Sequence, residues 1–411
     1  MGDRLRAMSD AALRGKNNGD GMLRIFSIQT GEDMRVKSPF VALMLFAAPL
    51  AVLFSSPAYG DWSFAMIGDT RGNDSGTDSG VSPYLNTIAQ RMAAMNPTMV
   101  LVSGDLCSGD LAGSTYADFI TEFNTWKTAM TPVSSLGIPI YPVRGNHENE
   151  FMDALPPNTD LKQAYYDSFG ALLPMNGPNN GPGDDQRGFT YSFTVNNVTV
   201  VAVDQYFYFN PSSGYHSIDQ NWVTEQLQLS SSPFKVVMAH EPVFMATGQD
   251  VGEHFFGTDA AGLQARSDFW NALGTNGAPL YVAGHVHNLS VSSAQDDFGD
   301  TGYQLIAGNG GAPFDNASIN ADPGVNVHYT NGTNFGFALA TVTADTMTIN
   351  YHLYNTASET WSVASYATAI VLPEPSTVAL VALGPLILGA PILGRRVRRR
   401  RAVGIDLGAQ L

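Results

Sequence analysis

Five short polar clusters, each closing an apolar run, hold the side chains of this chain best suited to chemistry: Gly68-Asp69, Gly104-Asp105, Gly145-Asn146-His147-Glu148, His240 and Gly284-His285-Val286-His287. Asp, Asn and His offer oxygen and nitrogen donors of borderline hardness, suited to Zn, Mn, Fe and similar first-row ions, not to a thiolate-bound metal. Taken singly, an aspartate at a strand end is most often a turn or cap residue, and His240 could be a buried, hydrogen-bonded histidine. Taken together, the clusters read as one dinuclear metal site, whose natural chemistry is hydrolysis of a phosphate ester.

The elements that must position these clusters are visible as β-rich stretches just before them: Trp62–Ile67, Thr98–Ser103, Ile138–Val143, Phe234–Ala239 and Pro279–Ala283. Each cluster is therefore predicted on a loop at the carboxyl end of a strand, and strand ends of one sheet converge on one crevice. Amphipathic helices are predicted over Tyr84–Met95, Tyr116–Met130, Leu161–Phe169, Asp219–Leu229 and Gln264–Leu273. This β-α alternation defines an α/β class. Towards the end strand follows strand (Gln304–Ala307, Phe335–Val342, Thr346–Tyr354, Trp361–Thr368), as in a second, largely antiparallel sheet. The expected architecture is a four-layer α-β-β-α sandwich of two mixed sheets flanked by helices. Pro174–Gly188, rich in Gly, Pro, Asn and Asp, is expected as a mobile surface loop beside the site.

In this order the five clusters resemble those of the calcineurin-like metallophosphoesterases, a superfamily that includes purple acid phosphatases and cyclic-nucleotide phosphodiesterases. The likeness runs over roughly residues 62–315, and Gln220-Asn221-Trp222 and Gly308-Asn309-Gly310-Gly311 are also similar to stretches of that family. The resemblance implies Asp69 and His287 on a first metal, Asn146, His240 and His285 on a second, and Asp105 bridging both. It implies two divalent or trivalent ions (Mn, Zn or Fe), a hydroxide bridging them as nucleophile, and His147 directed at the phosphate to stabilise charge or protonate the leaving oxygen. The implied function is hydrolysis of phosphomonoesters or phosphodiesters. The alternative is a non-catalytic binding or surface-matrix protein on the same fold.

Two departures from the family pattern matter. Many members carry a metal-binding histidine two residues after the first aspartate, whereas this chain reads Asp69-Thr70-Arg71, and arginine has no lone pair to give. The first metal is thus short of a ligand. Arg71 either clamps the substrate phosphate through paired hydrogen bonds or pairs with a surface carboxylate such as Asp74 or Asp78. Asp105 is followed by Leu106-Cys107-Ser108, without the tyrosine of the purple acid phosphatases, which argues against a tyrosinate-bound ferric centre. Asp204 is either an orienting residue or a turn residue; Glu148 and Asp153 read as loop residues, and His216 and His254 have no motif around them.

The ends of the chain read as processing signals. Arg35 and Lys37 precede the apolar run Phe40–Phe54 and a small-residue stretch ending at Gly60, so residues 1–60 read as a leader and secretory signal peptide with a true start at Met34. An N-terminal anchor is the alternative, although the run is shorter than the ~20 residues of a spanning helix. Residues 61–371 form the expected metallophosphoesterase domain. Residues 372–411 (Pro373-Glu374-Pro375, an apolar stretch, an arginine cluster) resemble the PEP-CTERM sorting signal, which implies an exosortase-like processing partner, a transmembrane helix, and at least transient anchoring in the inner membrane. A plain anchor would give the same orientation. The expected location is exported: periplasmic, cell-surface or extracellular.

The formal net charge of −16, with much of the basic complement in the two ends, repels nucleic-acid backbones, so no nucleic-acid binding is expected. The single cysteine, Cys107, excludes an internal disulfide.

Overall fold

The computed structural model describes residues 60–73, 79–109, 115–148, 159–181, 185–206, 208–210, 215–247, 256–257 and 259–372. Apart from Gly60 and Leu372, the predicted signal peptide and the sorting tail lie outside the described residues, as do Asp74, Asp78, Asp153 and His254. Among the described residues no helix is long and apolar enough to cross a membrane.

In chain order the elements are β1 (Trp62–Ile67), α1 (Leu85–Met95), β2 (Val100–Val102), α2 (Tyr116–Ala129), α3 (Thr131–Ser134), β3 (Ile140–Pro142), α4 (Thr159–Ser168), β4 (Tyr191–Val195) and β5 (Val198–Ala202). There follow β6 (Tyr208–Asn210), β7 (Tyr215–Ser217), α5 (Gln220–Leu229), β8 (Phe234–Met238), α6 (Ala260–Thr275) and β9 (Leu280–Ala283). The last six strands are β10 (Leu289–Gln295), β11 (Thr301–Ala307), β12 (Asn326–Asn331), β13 (Phe335–Val342), β14 (Thr346–Asn355) and β15 (Thr360–Val371).

Two mixed sheets result, one ordered β15-β14-β13-β1-β2-β3 and the other β12-β10-β11-β9-β8-β5-β4. Alternation of side chains along a strand explains the layering. In β5 and β8, Val198, Val200, Ala202, Phe234, Val236 and Met238 belong to the core that also takes in β1, β2 and β13. The residues between them, Val201 and Val237, enter a second core with Val223 and Leu227 of α5 and Phe269, Trp270 and Leu273 of α6. Against the first sheet, α1 buries Leu85, Ile88, Ala89 and Met92, the i, i+3, i+4, i+7 stripe of a helix with one apolar face. The α-β-β-α sandwich is therefore the observed architecture.

Two details differ from the sequence reading. The late strands do not form a sheet of their own: β13 pairs antiparallel with β1, while β11 pairs parallel with β9. Strand periodicity states which face is buried, and it is silent on which free edge a strand joins. Consequently the five clusters follow strands of two sheets, β1, β2 and β3 in one and β8 and β9 in the other. The described part of the Pro174–Gly188 segment is also anchored: Asn176 donates to Ser192 O and accepts from Ser192 N, Gln186 N–H donates to Pro178 O, and the Gln186 side chain is buried.

Candidate metal centre

Asp69 and Asp105 leave β1 and β2 with φ of 55° and 50°, and His285 leaves β9 with φ of 68°. Left-handed backbone at a non-glycine residue costs on the order of 1–3 kcal/mol and persists only where the surroundings enforce it. Here neighbouring loops enforce it through hydrogen bonds. Asp69 N–H donates to Gly104 O, Gly68 N–H to Ala307 O, and Gly284 N–H to His240 O. The glycines before these ligands are seats for them. Gly104 has φ of 91°, and a Cβ there would lie 2.5 Å from His240 Nδ1; a Cβ at Gly145 would press into the Asp105 carboxylate.

The donors of the five clusters come together. Asn146 Oδ1 lies 2.9 Å from His240 Nε2 and 3.1 Å from His285 Nδ1, and Asp105 Oδ1 lies 3.3 Å from His240 Nε2. On the other side, Asp69, Asp105 and His287 have ligand atoms within 4.8 Å of one another, and His287 Nε2 is 3.6 Å from Asp69 Oδ1. The backbone N–H of His285 donates to both Asp69 oxygens, at 3.0 and 2.9 Å, and so aims that carboxylate.

These residues fit a metal. His240 Nδ1–H donates to Ser103 O at 2.7 Å and His287 Nδ1–H to Pro313 O at 2.9 Å, which leaves the Nε2 lone pair of each ring facing inward. Burial lowers the His240 pKa to about 3, and burial with the nearby Arg71 charge lowers that of His287 to about 4, so both rings are neutral at neutral pH. An imidazole lone pair, an amide oxygen and a carboxylate oxygen then meet without a proton between them, and a cation satisfies all three. Of the two carboxylates, burial and the charge of Asp105 hold Asp69 well above the ordinary range. Burial pushes Asp105 the same way, but its neighbours, Arg71 with its fixed charge among them, hold it below its usual value.

His147 sits on a single helical turn, Asn146–Glu148; its Nδ1–H donates to Ser108 O at 2.7 Å and its Nε2 lies 3.9 Å from Asp105 Oδ2. Arg71, 4% exposed, is not a surface residue. Its guanidinium reaches Asp105 Oδ2 (Nε, 3.5 Å), His287 Nε2 (Nη2, 3.4 Å) and Gly72 O (Nη1, 3.1 Å).

Three supports were undervalued by the sequence reading. Glu148 is fully buried: Oε2 accepts from the N–H groups of Asp105 and Gly145, and Oε1 from those of Leu106 and Cys107. One carboxylate thus ties the second cluster to the third. Burial and Asp105 push its pKa up to about 8, while those donors pull it back down. Arg144, just before Gly145, forms a fully buried ion pair with Asp204 (2.8 and 2.7 Å), which resolves Asp204 as an anchor of the third cluster. Gln205 Oε1 accepts from the N–H groups of His240 and Glu241. A visible sign of the Arg144 pairing was an arginine closing the apolar run Ile138–Val143 in a chain poor in basic residues. Two family-like stretches also find a place. Gln220-Asn221-Trp222 opens α5, capped by Asp219, and Gly308–Gly311 hydrogen-bonds to the first cluster through Gly310 N–H to Gly68 O. Cys107 is buried, and burial with Glu148 and Glu122 nearby pushes its thiol well above the ordinary value, which leaves it a packing role.

A two-sheet sandwich gathers Asp, Asn and His donors suited to metal ions at its strand ends. The chain belongs to the calcineurin-like phosphoesterase family, whose model matches residues 63–289. It is 27% identical over 246 residues to uncharacterized proteins from two strains of Mycobacterium tuberculosis, over 57% of this chain and 42% of theirs. The chain thus spans about two fifths of the length of the curated relatives it matches. Similar solved structures include purple acid phosphatase PPD1 of yellow lupin, with TM-score 0.55 at 15% identity over 76% of this chain and 54% of that one. PhoD aligns with TM-score 0.54 at 15% identity over 77% and 70%. GAP50, an inner-membrane-complex anchor of Plasmodium, aligns with TM-score 0.50 at 14% identity over 78% and 91%. At these identities the likeness shows the fold.

Proposed function

We propose that this chain is a metal-dependent hydrolase of phosphomonoesters or phosphodiesters. The observation that carries the reading is the meeting of His240 Nε2, Asn146 Oδ1 and Asp105 Oδ1 within 3.3 Å of the imidazole nitrogen, beside His147. Asp105, Asn146, His240 and His285 would hold one ion; Asp69 and His287, with Asp105 shared, offer a second position. When bound, ions of the Zn, Mn or Fe type polarise the phosphate and supply an activated water for in-line attack.

The remaining work falls to side chains. His147, fixed by Ser108 O, presents Nε2 to the centre, where its protonated form donates to the departing oxygen. Arg71 can offer parallel N–H groups to phosphate oxygens, giving orientation as well as charge. The substrate is a small or surface-borne phosphate ester. Export, tail processing by an exosortase-like enzyme and inner-membrane anchoring belong to the same proposal, supported by the leader and tail sequences.

The test is metal analysis of the full chain, with rates on a model monoester and a model diester in Mn, Zn, Fe and Ca. Metal-dependent release from at least one substrate is expected. Tight metal binding without hydrolysis of either would favour a binding module, and failure to bind metal would end the reading.

A further inference from the structure

We propose that Arg71 is a built-in cation at the position among Asp69, Asp105 and His287, so that the resting chain holds one tightly bound metal ion, at Asp105, Asn146, His240 and His285. This rests on the reading of the centre as metal-binding and revises its expected ion count.

The group of Asp69, Asp105 and His287 is the one that could hold a first ion, and a guanidinium lies against two of its three members. Nε is 3.5 Å from Asp105 Oδ2 and Nη2 is 3.4 Å from His287 Nε2, the inward lone pair left by the bond from Nδ1–H to Pro313 O. The donors that would face a metal there already face a cation. Nor can Arg71 easily leave. It is 4% exposed, its own N–H donates to Asp105 O at 3.0 Å, and Gly72 N–H donates to Gly80 O at 3.1 Å, so its backbone is fixed on both sides. Arginine does not shed its charge at any ordinary pH. An ion entering this position therefore meets a fixed positive charge at contact range.

The other group differs. His240 Nε2 contacts both Asn146 and Asp105, and the second nitrogen of His240 is satisfied by Ser103 O. The bound ion and Arg71 would then face the phosphate together, the ion as Lewis acid and the guanidinium as a hydrogen-bonding clamp. The substitution of arginine for a metal-binding histidine would exchange an ion for a charge that cannot dissociate.

The experiment uses full-length protein, stripped with chelator and titrated with Mn(II), read by elemental analysis after dialysis and by electron paramagnetic resonance. Wild type should take up one tight ion with the spectrum of an isolated Mn(II), and a second only roughly 10²-fold or more weaker. Arg71→His should bind two ions with a spin-coupled spectrum. Within the wild-type background, His285→Ala should lose the tight ion and Asp69→Asn should keep it. Two ions of comparable affinity with a coupled spectrum in wild type would overturn the proposal. So would loss of the tight ion in Asp69→Asn that is still folded by circular dichroism. Uptake of no ion at all would instead defeat the phosphoesterase reading itself.

Discussion

The two halves of the centre use the same kinds of donor but are supported in opposite ways. Around His240 the fold braces neutral donors: Ser103 O fixes the ring tautomer, Gln205 takes up the backbone N–H, and Asn146 brings an uncharged oxygen to 2.9 Å. Around Asp69 and His287 it inserts a charged side chain, Arg71, within 3.5 Å of Asp105 and His287. The difference teaches that a donor set is only half of a metal site. On the proposed reading, what faces the donors would decide how firmly an ion stays.

Asp105 belongs to both halves, so its loss should be the largest single effect. Asp105→Asn is expected to abolish turnover and lower metal content, because the shared anion is replaced by a neutral amide. Unchanged metal content by elemental analysis would remove Asp105 from the account. His147 belongs to neither half as a ligand. His147→Ala should keep the metal of the braced half yet lose roughly 10² to 10⁴ in rate, with smaller losses for good leaving groups. A uniform loss across a leaving-group series would reduce His147 to an electrostatic contributor.

Much of the braced half was legible in the sequence because its donors close apolar strands in recognisable clusters. Asp69, Asp105, Asn146, His147, His240, His285 and His287 all converge at the strand ends. Their supports were harder to read. Glu148 answers the N–H groups of residues 105, 106, 107 and 145, a partnership that exists only once two loops have met. Arg144 and Asp204 are 60 positions apart in sequence. The division of the five clusters between two sheets was likewise invisible, since β1 carries the same apolar pattern whichever strands flank it, and in the fold these are β13 and β2. Arg71 was recognised as a departure, but only the fold shows that its guanidinium turns inward.

The braced half also depends on the Arg144–Asp204 pair beneath the third cluster. Asp204→Ala would leave Arg144 buried with its carboxylate partner gone, a change worth about 3–5 kcal/mol of stability. Denaturant unfolding at neutral pH would measure it; a loss under 1 kcal/mol would mean that the loop is held elsewhere.

A smaller effect is expected from pH. His240 and His287 have pKa values of about 3 and 4 in the fold against an ordinary 6.5. Between those limits the unfolded chain binds more protons than the folded one, so their contribution is complete above pH 6.5 and is lost as the pH falls towards 4 and 3. Metal-free protein should therefore unfold more easily as the pH is lowered through that window. Replacement of either histidine by a neutral residue should flatten the dependence, and an unchanged slope would show that these rings are not neutral in the fold.

The most direct test of the central claim is metal add-back to chelator-treated full-length protein, with phosphate-ester hydrolysis followed against ion bound. Wild type should regain hydrolysis in step with the tightly bound ion, and His285→Ala should regain neither. Hydrolysis that persists in chelator, or that fails to return although the tight ion is bound, would contradict the account.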